Sequence, residues 1–76
     1  MTRSLLNRMA IAEGWTPHEW QLRLADQIGG NAVRNIFRHA VLVEDEQGRR
    51  LRLPEDVRHL ATPHMPEVQR VLERLP

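Results

Sequence analysis

The sequence predicts a mainly α-helical domain with a small β-hairpin: three helices, the hairpin, a short helical turn and a C-terminal helix. Three observations lead there. Apolar residues recur at helical spacing in three successive stretches up to Ala40. The period then switches to alternation in Val41 and Val43, and again in Arg50, Leu51, Arg52 and Leu53, on either side of EDEQG. Glycine and proline stand where such elements begin and end, at Gly14, Gly29-Gly30, Gly48, Pro17, Pro54 and Pro66.

A chain of 76 residues makes one domain, spanning residues 1–76, in which the apolar core is small. The first helix covers about residues 3–13, with Leu5, Leu6, Met9 and Ala12 as its stripe and Gly14 as a left-handed cap. The second covers about 17–28. Thr16 caps it, Pro17 takes the first helical position, where a missing N–H costs nothing, and Glu19 closes a capping box. Trp15 and Trp20 then occupy the two positions of a hydrophobic staple, and Trp20, Leu24, Ala25 and Ile28 run along the buried side. Asn31 is a good cap for a third helix over about 31–39, where Val33, Ile36, Phe37 and Ala40 recur at i, i+3, i+4 and i+7.

The alternating segment forms a hairpin over about 41–53, with its turn near Gln47-Gly48 and Pro54 ending the second strand. Val57, Leu60 and Ala61 share one face of a helical turn over about 55–61. The segment TPHMP breaks the chain at two prolines. Pro66 opens a last helix over about 66–75, whose Met65, Val68, Val71, Leu72 and Leu75 make a continuous stripe.

Composition narrows the function. No cysteine is present, which removes disulfides and thiolate metal sites. No apolar run approaches the ~20 residues that span a bilayer, and no signal-peptide core precedes the first helix, so a cytoplasmic protein without membrane contact is expected. All eleven basic residues are arginine. Arginine suits forked recognition of phosphate, carboxylate or guanine, while the plainer reading of a lysine-free chain is codon bias. The net charge is only +1, and the acids cluster in EDEQG and around Glu55-Asp56.

The third helix carries the clearest functional signal. At 100° per residue, Asn31, Arg34, Asn35 and Arg38 fall within roughly 100° of arc, opposite Val33, Ile36, Phe37 and Ala40. Arg and Asn are the side chains whose forked donors and acceptors match guanine and adenine edges in the major groove. No acid occurs between Gln27 and Val43, so a local positive field is expected on that face.

LADQIGGNAVRNIFRH followed by VLVEDEQGRRLRL resembles the winged helix-turn-helix superfamily over about residues 17–53. Ala25 and Gly29 match the alanine and turn glycine of that unit, while Gly30 stands where an aliphatic residue is usual. The resemblance implies a three-helix core of helix-turn-helix type, a hairpin wing and a recognition helix in the major groove of double-stranded DNA. On that basis Arg34 and Arg38 contact bases or phosphates, Asn31 and Asn35 contact adenine or backbone, and Arg49, Arg50 and Arg52 of the wing contact phosphates. A solvated polar face is the competing account, and Glu44, Asp45 and Glu46 at the hairpin tip would repel phosphate unless they pair with Arg49 and Arg50.

Enzymatic chemistry is not expected. Ser4 is the only serine and no cysteine, lysine or tyrosine is available as a nucleophile. His18, His39, His59 and His64 do not make a zinc-ligand spacing, so no metal or other cofactor is expected. The rival to DNA binding is a small adaptor or inhibitor that holds a protein partner through the arginine face, the acidic hairpin tip or the last helix. Met65, Val68, Leu72 and Leu75 would supply that interface, or one between two copies of the chain, if the core does not use them.

Overall fold

The computed structural model describes residues 2–76, and the protein is mainly α with one antiparallel hairpin. Helix α1 spans Thr2–Glu13 and α2 spans Glu19–Ile28. Helix α3 runs as regular α-helix over Gly30–Ala32 and continues as a wider π-turn over Val33–Phe37. Strands β1 (Val41–Asp45) and β2 (Gly48–Arg52) follow. Helix α4 (Arg58–Ala61) is flanked by 3₁₀ turns at Glu55–Val57 and Thr62–His64, and α5 spans Met65–Arg74. Among the described residues, no helix is long and apolar enough to cross a membrane.

Gly14 ends α1 at φ 81°, with its N–H bonded to the Ile11 carbonyl at 3.3 Å and that of Trp15 to the Ala10 carbonyl at 3.0 Å, the paired bonds of a Schellman closure. Trp15 thus belongs to the end of α1. The inward face of α1 is Leu6, Met9 and Ala10 rather than the expected set ending in Ala12, which is exposed beside Ile11.

Helix α2 begins two residues later than the sequence suggests. His18, extended at φ −76° and ψ 160°, is its N-cap, and Gln21 closes the box: the His18 N–H donates to Gln21 Oε1 at 2.7 Å. The Thr16–Glu19 box does not form, and with His18 as the cap Trp15 and Trp20 no longer stand at the staple positions, though both pack in or against the core. Gln21 prevails because its other end is also occupied: Nε2 donates to the carbonyls of Phe37 at 3.0 Å and Arg38 at 3.3 Å. Those carbonyls lie where the π-turn runs out; that of Phe37 also accepts the Ala40 N–H at 3.3 Å, and that of Arg38 lies past the last helical turn. Gln21 is 1% exposed, so the start of α2 and the end of α3 share one buried amide with both ends satisfied.

Gly29, at φ 94°, is the whole connection between α2 and α3. It takes the N-cap position expected for Asn31, which lies inside the helix with its side chain exposed. In the hairpin, Asp45 pairs with Gly48 across Glu46-Gln47, and Gly48 at φ 104° takes the left-handed position that follows the turn. The Asp45 carboxylate accepts the Gln47 N–H at 2.9 Å. Leu42 and Leu51, opposite one another, pack on the core, while Val41 and Arg52 share the outer face.

TPHMP does not break the chain. Pro63 and Pro66 each stand in the first turn of a helical segment, where no N–H is needed, and the Thr62 hydroxyl donates to the Arg58 carbonyl at 3.1 Å. The core joins Leu6, Ala10, Trp20, Leu24, Ala25, Val33, Phe37 and Ala61 to Val68, Val71 and Leu72 of α5. Met65 and Leu75 pack against the same cluster. The stripe Met65, Val68, Leu72 and Leu75, expected as an interface only if the core did not use it, lies against the core, with Val68 and Leu72 buried and Met65 and Leu75 half-buried.

Replacing Gln21 with Leu should keep the volume and take the partner from the His18 N–H and the Arg38 carbonyl, while the Phe37 carbonyl keeps the Ala40 N–H at 3.3 Å. Each buried group left without a partner costs ~1–3 kcal/mol, so a loss of about 3 kcal/mol is expected by urea denaturation. A loss below about 1 kcal/mol would show that the amide is not holding α3.

Candidate interaction face beside the third helix

Asn31, Arg34 and Asn35 are exposed and the Arg38 side chain is 32% exposed, while Val33 and Phe37 are buried behind them. The polar face of α3 is as the periodicity predicts. Its charge is not. Glu13, the last residue of α1, reaches into the face: Arg34 Nε donates to Glu13 Oε2 at 2.7 Å, and Arg34 Nη2 bonds the same oxygen. Arg38 Nη1 lies 3.8 Å from Glu13 Oε1, and the Trp15 indole N–H donates to that oxygen at 3.2 Å. The Arg38 guanidinium sits 5.3 Å from the Trp15 ring centroid, within the range of a cation–π contact. Arg34 Nη1 also donates to Asn35 Oδ1 at 3.3 Å.

Hydrogen bonds from Arg34 and then Trp15 hold the Glu13 carboxyl well below its ordinary 4.5, lowered to about 2. The same bond raises the Arg34 pKa. Glu13 is thus a fixed negative charge at any physiological pH, set between two arginines. Beside it, Arg34, Asn35, Arg38 and His39 line a hollow of about 430 Å³ that is closed by Pro54, Asp56 and Val57, with Ile36 among its apolar walls.

The wing arginines divide. Arg49 shares the inner face of β2 with Leu51. It donates from Nη1 to the carbonyls of Leu72 at 3.1 Å and Leu75 at 2.6 Å, and from Nη2 to the Pro76 main-chain oxygen at 2.6 Å. It caps the end of α5, where its donors are taken up by main-chain carbonyls. Its Nε also lies 3.4 Å from Glu44. Arg50 is bonded to Asp45 at 2.6 Å, holding that carboxyl below its ordinary range. Both cross-turn pairs raised by the sequence are present. Arg52 is exposed, and among the described residues it has no ion pair.

Glu13, Trp15, Gln21 and Asp56 belong to the site or its support and carry no signal in the α3 segment itself. Spacing along α1 could have found Glu13, which follows Leu6, Met9 and Ala10 at helical intervals. His64 presents its ring edge to Phe37 at 6.4 Å and 71°, an aromatic packing contact. Among the described residues, no group of three or more His, Asp or Glu could hold a metal. No protein-family model, curated protein or solved structure matches the chain.

Because the Glu13 pKa is lowered on folding, the clasp adds stability that is complete above pH 4.5 and lost as pH falls toward 2. A side-chain carboxyl NMR titration should give Glu13 a midpoint near 2, and Glu13→Gln should remove that part of the acid-unfolding profile. A midpoint near 4.5 would mean the clasp is not formed in solution.

Proposed function

We propose that this protein is a small non-enzymatic binding module, an adaptor or inhibitor, that takes a segment of a protein partner in the hollow beside α3. The observation that carries the proposal is Glu13 held between Arg34 and Arg38. Duplex DNA carries one negative charge per ~1.7 Å of helix axis, and its binders answer with uncompensated cations. Here Arg34 is matched by Glu13, Arg50 by Asp45 and Arg49 by carbonyls, while Asp56 stands on the rim of the hollow. A protein partner can supply both signs. The donors that form no hydrogen bond among the described residues are the Arg38 guanidinium, 3.8 Å from Glu13, and the Asn35 amide N–H groups, next to Ile36 and Val57. Those groups suit a segment that sets a carboxylate beside an apolar side chain.

A second reading, double-stranded DNA in the manner of a winged helix, is favoured by the exposure of Asn31, Arg34 and Asn35, the half-exposed Arg38 beside them, and the exposed Arg52 on the hairpin. Against it, a major-groove reader protrudes, whereas α3 is eight residues long and lines a hollow.

The two readings separate in one set of measurements. For a protein partner, captured protein should be near-stoichiometric with wild type and lost with Arg38→Glu, while mobility shifts across a salt series show no steep dependence. DNA binding that falls steeply with salt, and weakens by at least ~2 kcal/mol in Arg34→Gln/Arg38→Gln, would overturn the proposal in favour of the second reading.

A further inference from the structure

A second concave surface shares no residue with the α3 hollow. It lies between α2 and α5, and its lining includes Arg3, Arg23, Asp26, Gln27, Arg70 and Arg74. Its one carboxylate is compensated, since Arg3 Nε donates to Asp26 at 2.8 Å. Arg3 also reaches Glu19 at 3.2 Å, so its single charge is shared between two carboxylates. Arg23 is anchored at the far end by donating to the Arg74 carbonyl at 3.3 Å, which ties α2 to α5 and fixes the width of the cleft. Arg23 has only a 3.9 Å approach to the shared Glu19, and Arg70 only a 3.9 Å approach to Glu67, outside hydrogen-bond range in both cases. Among the described residues, Arg74 has no ion pair at all. The cleft therefore holds cations in excess of the acids that touch it.

Arg70 and Arg74 are one turn apart on α5, a like-charge spacing that disfavours a helix unless an anion lies between the two heads. Each guanidinium offers a planar fork, the geometry that grips two oxygens of one phosphate. Size limits the ligand further. The cleft is about 260 Å³, below the ~300–1,000 Å³ of pockets that hold drug-sized ligands. We infer that the α2–α5 cleft binds a small free phosphate-type polyanion, gripped by Arg70 and Arg74 with Arg23 and the Gln27 amide beside them.

Inorganic pyrophosphate is the probe, titrated at constant ionic strength and followed by calorimetry and by the arginine side-chain N–H resonances. Saturable one-to-one binding is expected, with the Arg70 and Arg74 resonances shifted. Arg70→Gln/Arg74→Gln should weaken it at least about tenfold with the rest of the amide spectrum unchanged, because two charge-assisted forks are lost. Arg70→Lys/Arg74→Lys keeps the charge without the fork and should fall between the two. Absence of saturation, full affinity in the glutamine variant, or citrate binding as tightly as pyrophosphate would each overturn the inference. So would binding of a short DNA duplex at these residues without binding of pyrophosphate.

Discussion

The buried amide of Gln21 ties the start of α2 to the end of α3, the helix whose polar face lines the hollow. It accepts the His18 N–H that opens α2 and donates to the two carbonyls where α3 ends. A side chain with only acceptors or only donors could not do both. The π-turn of α3 ends with the Phe37 carbonyl shared between the Ala40 N–H and Gln21, and the Arg38 carbonyl bonded to Gln21. With the end of α3 fixed, Val33 and Phe37 are committed to the core, and Asn31, Arg34, Asn35 and Arg38 are committed to solvent.

Around that centre the domain is joined by arginine forks as much as by apolar contact. Arg34 ties α3 to α1, Arg3 ties α1 to α2, Arg23 ties α2 to α5, and Arg49 ties the hairpin to α5. A core of this size leaves the joints between elements thinly covered, and long side chains with several donors close them while burying their stems. The consequence for function is that most positive charge is used within the molecule. What remains outside is patchy: a mixed-charge hollow beside α3 and a cationic cleft between α2 and α5. Such patches fit discrete ligands better than the continuous phosphate track of a duplex.

The existence and order of the elements are legible in the periodicity, since a 76-residue chain has few other ways to bury Leu24, Phe37 and Leu72. Boundaries were misread where a distant partner chose them. Thr16 and Glu19 make as good a box as His18 and Gln21 by local chemistry, and only the carbonyls of α3, which Gln21 also serves, decide between them. Asn31 lost its cap because one glycine suffices to join α2 to α3. The outward polar face of α3 was legible. The pairing of Glu13 with Arg34 was not, because that residue is 21 positions away in the chain and the periodicity of α1 points inward through Leu5, Leu6, Met9 and Ala12. The inward direction of Arg49 was available from simple alternation with Leu51, but its bonds to the end of α5 depend on where that helix packs.

The arrangement can be tested at its centre by NMR. A scalar coupling across the hydrogen bond from the Gln21 side-chain nitrogen to the Phe37 carbonyl carbon, with Gln21 side-chain protons that exchange slowly with solvent, is the predicted result. No coupling, together with exchange as fast as that of the exposed Gln27 and Gln69 side chains, would contradict it.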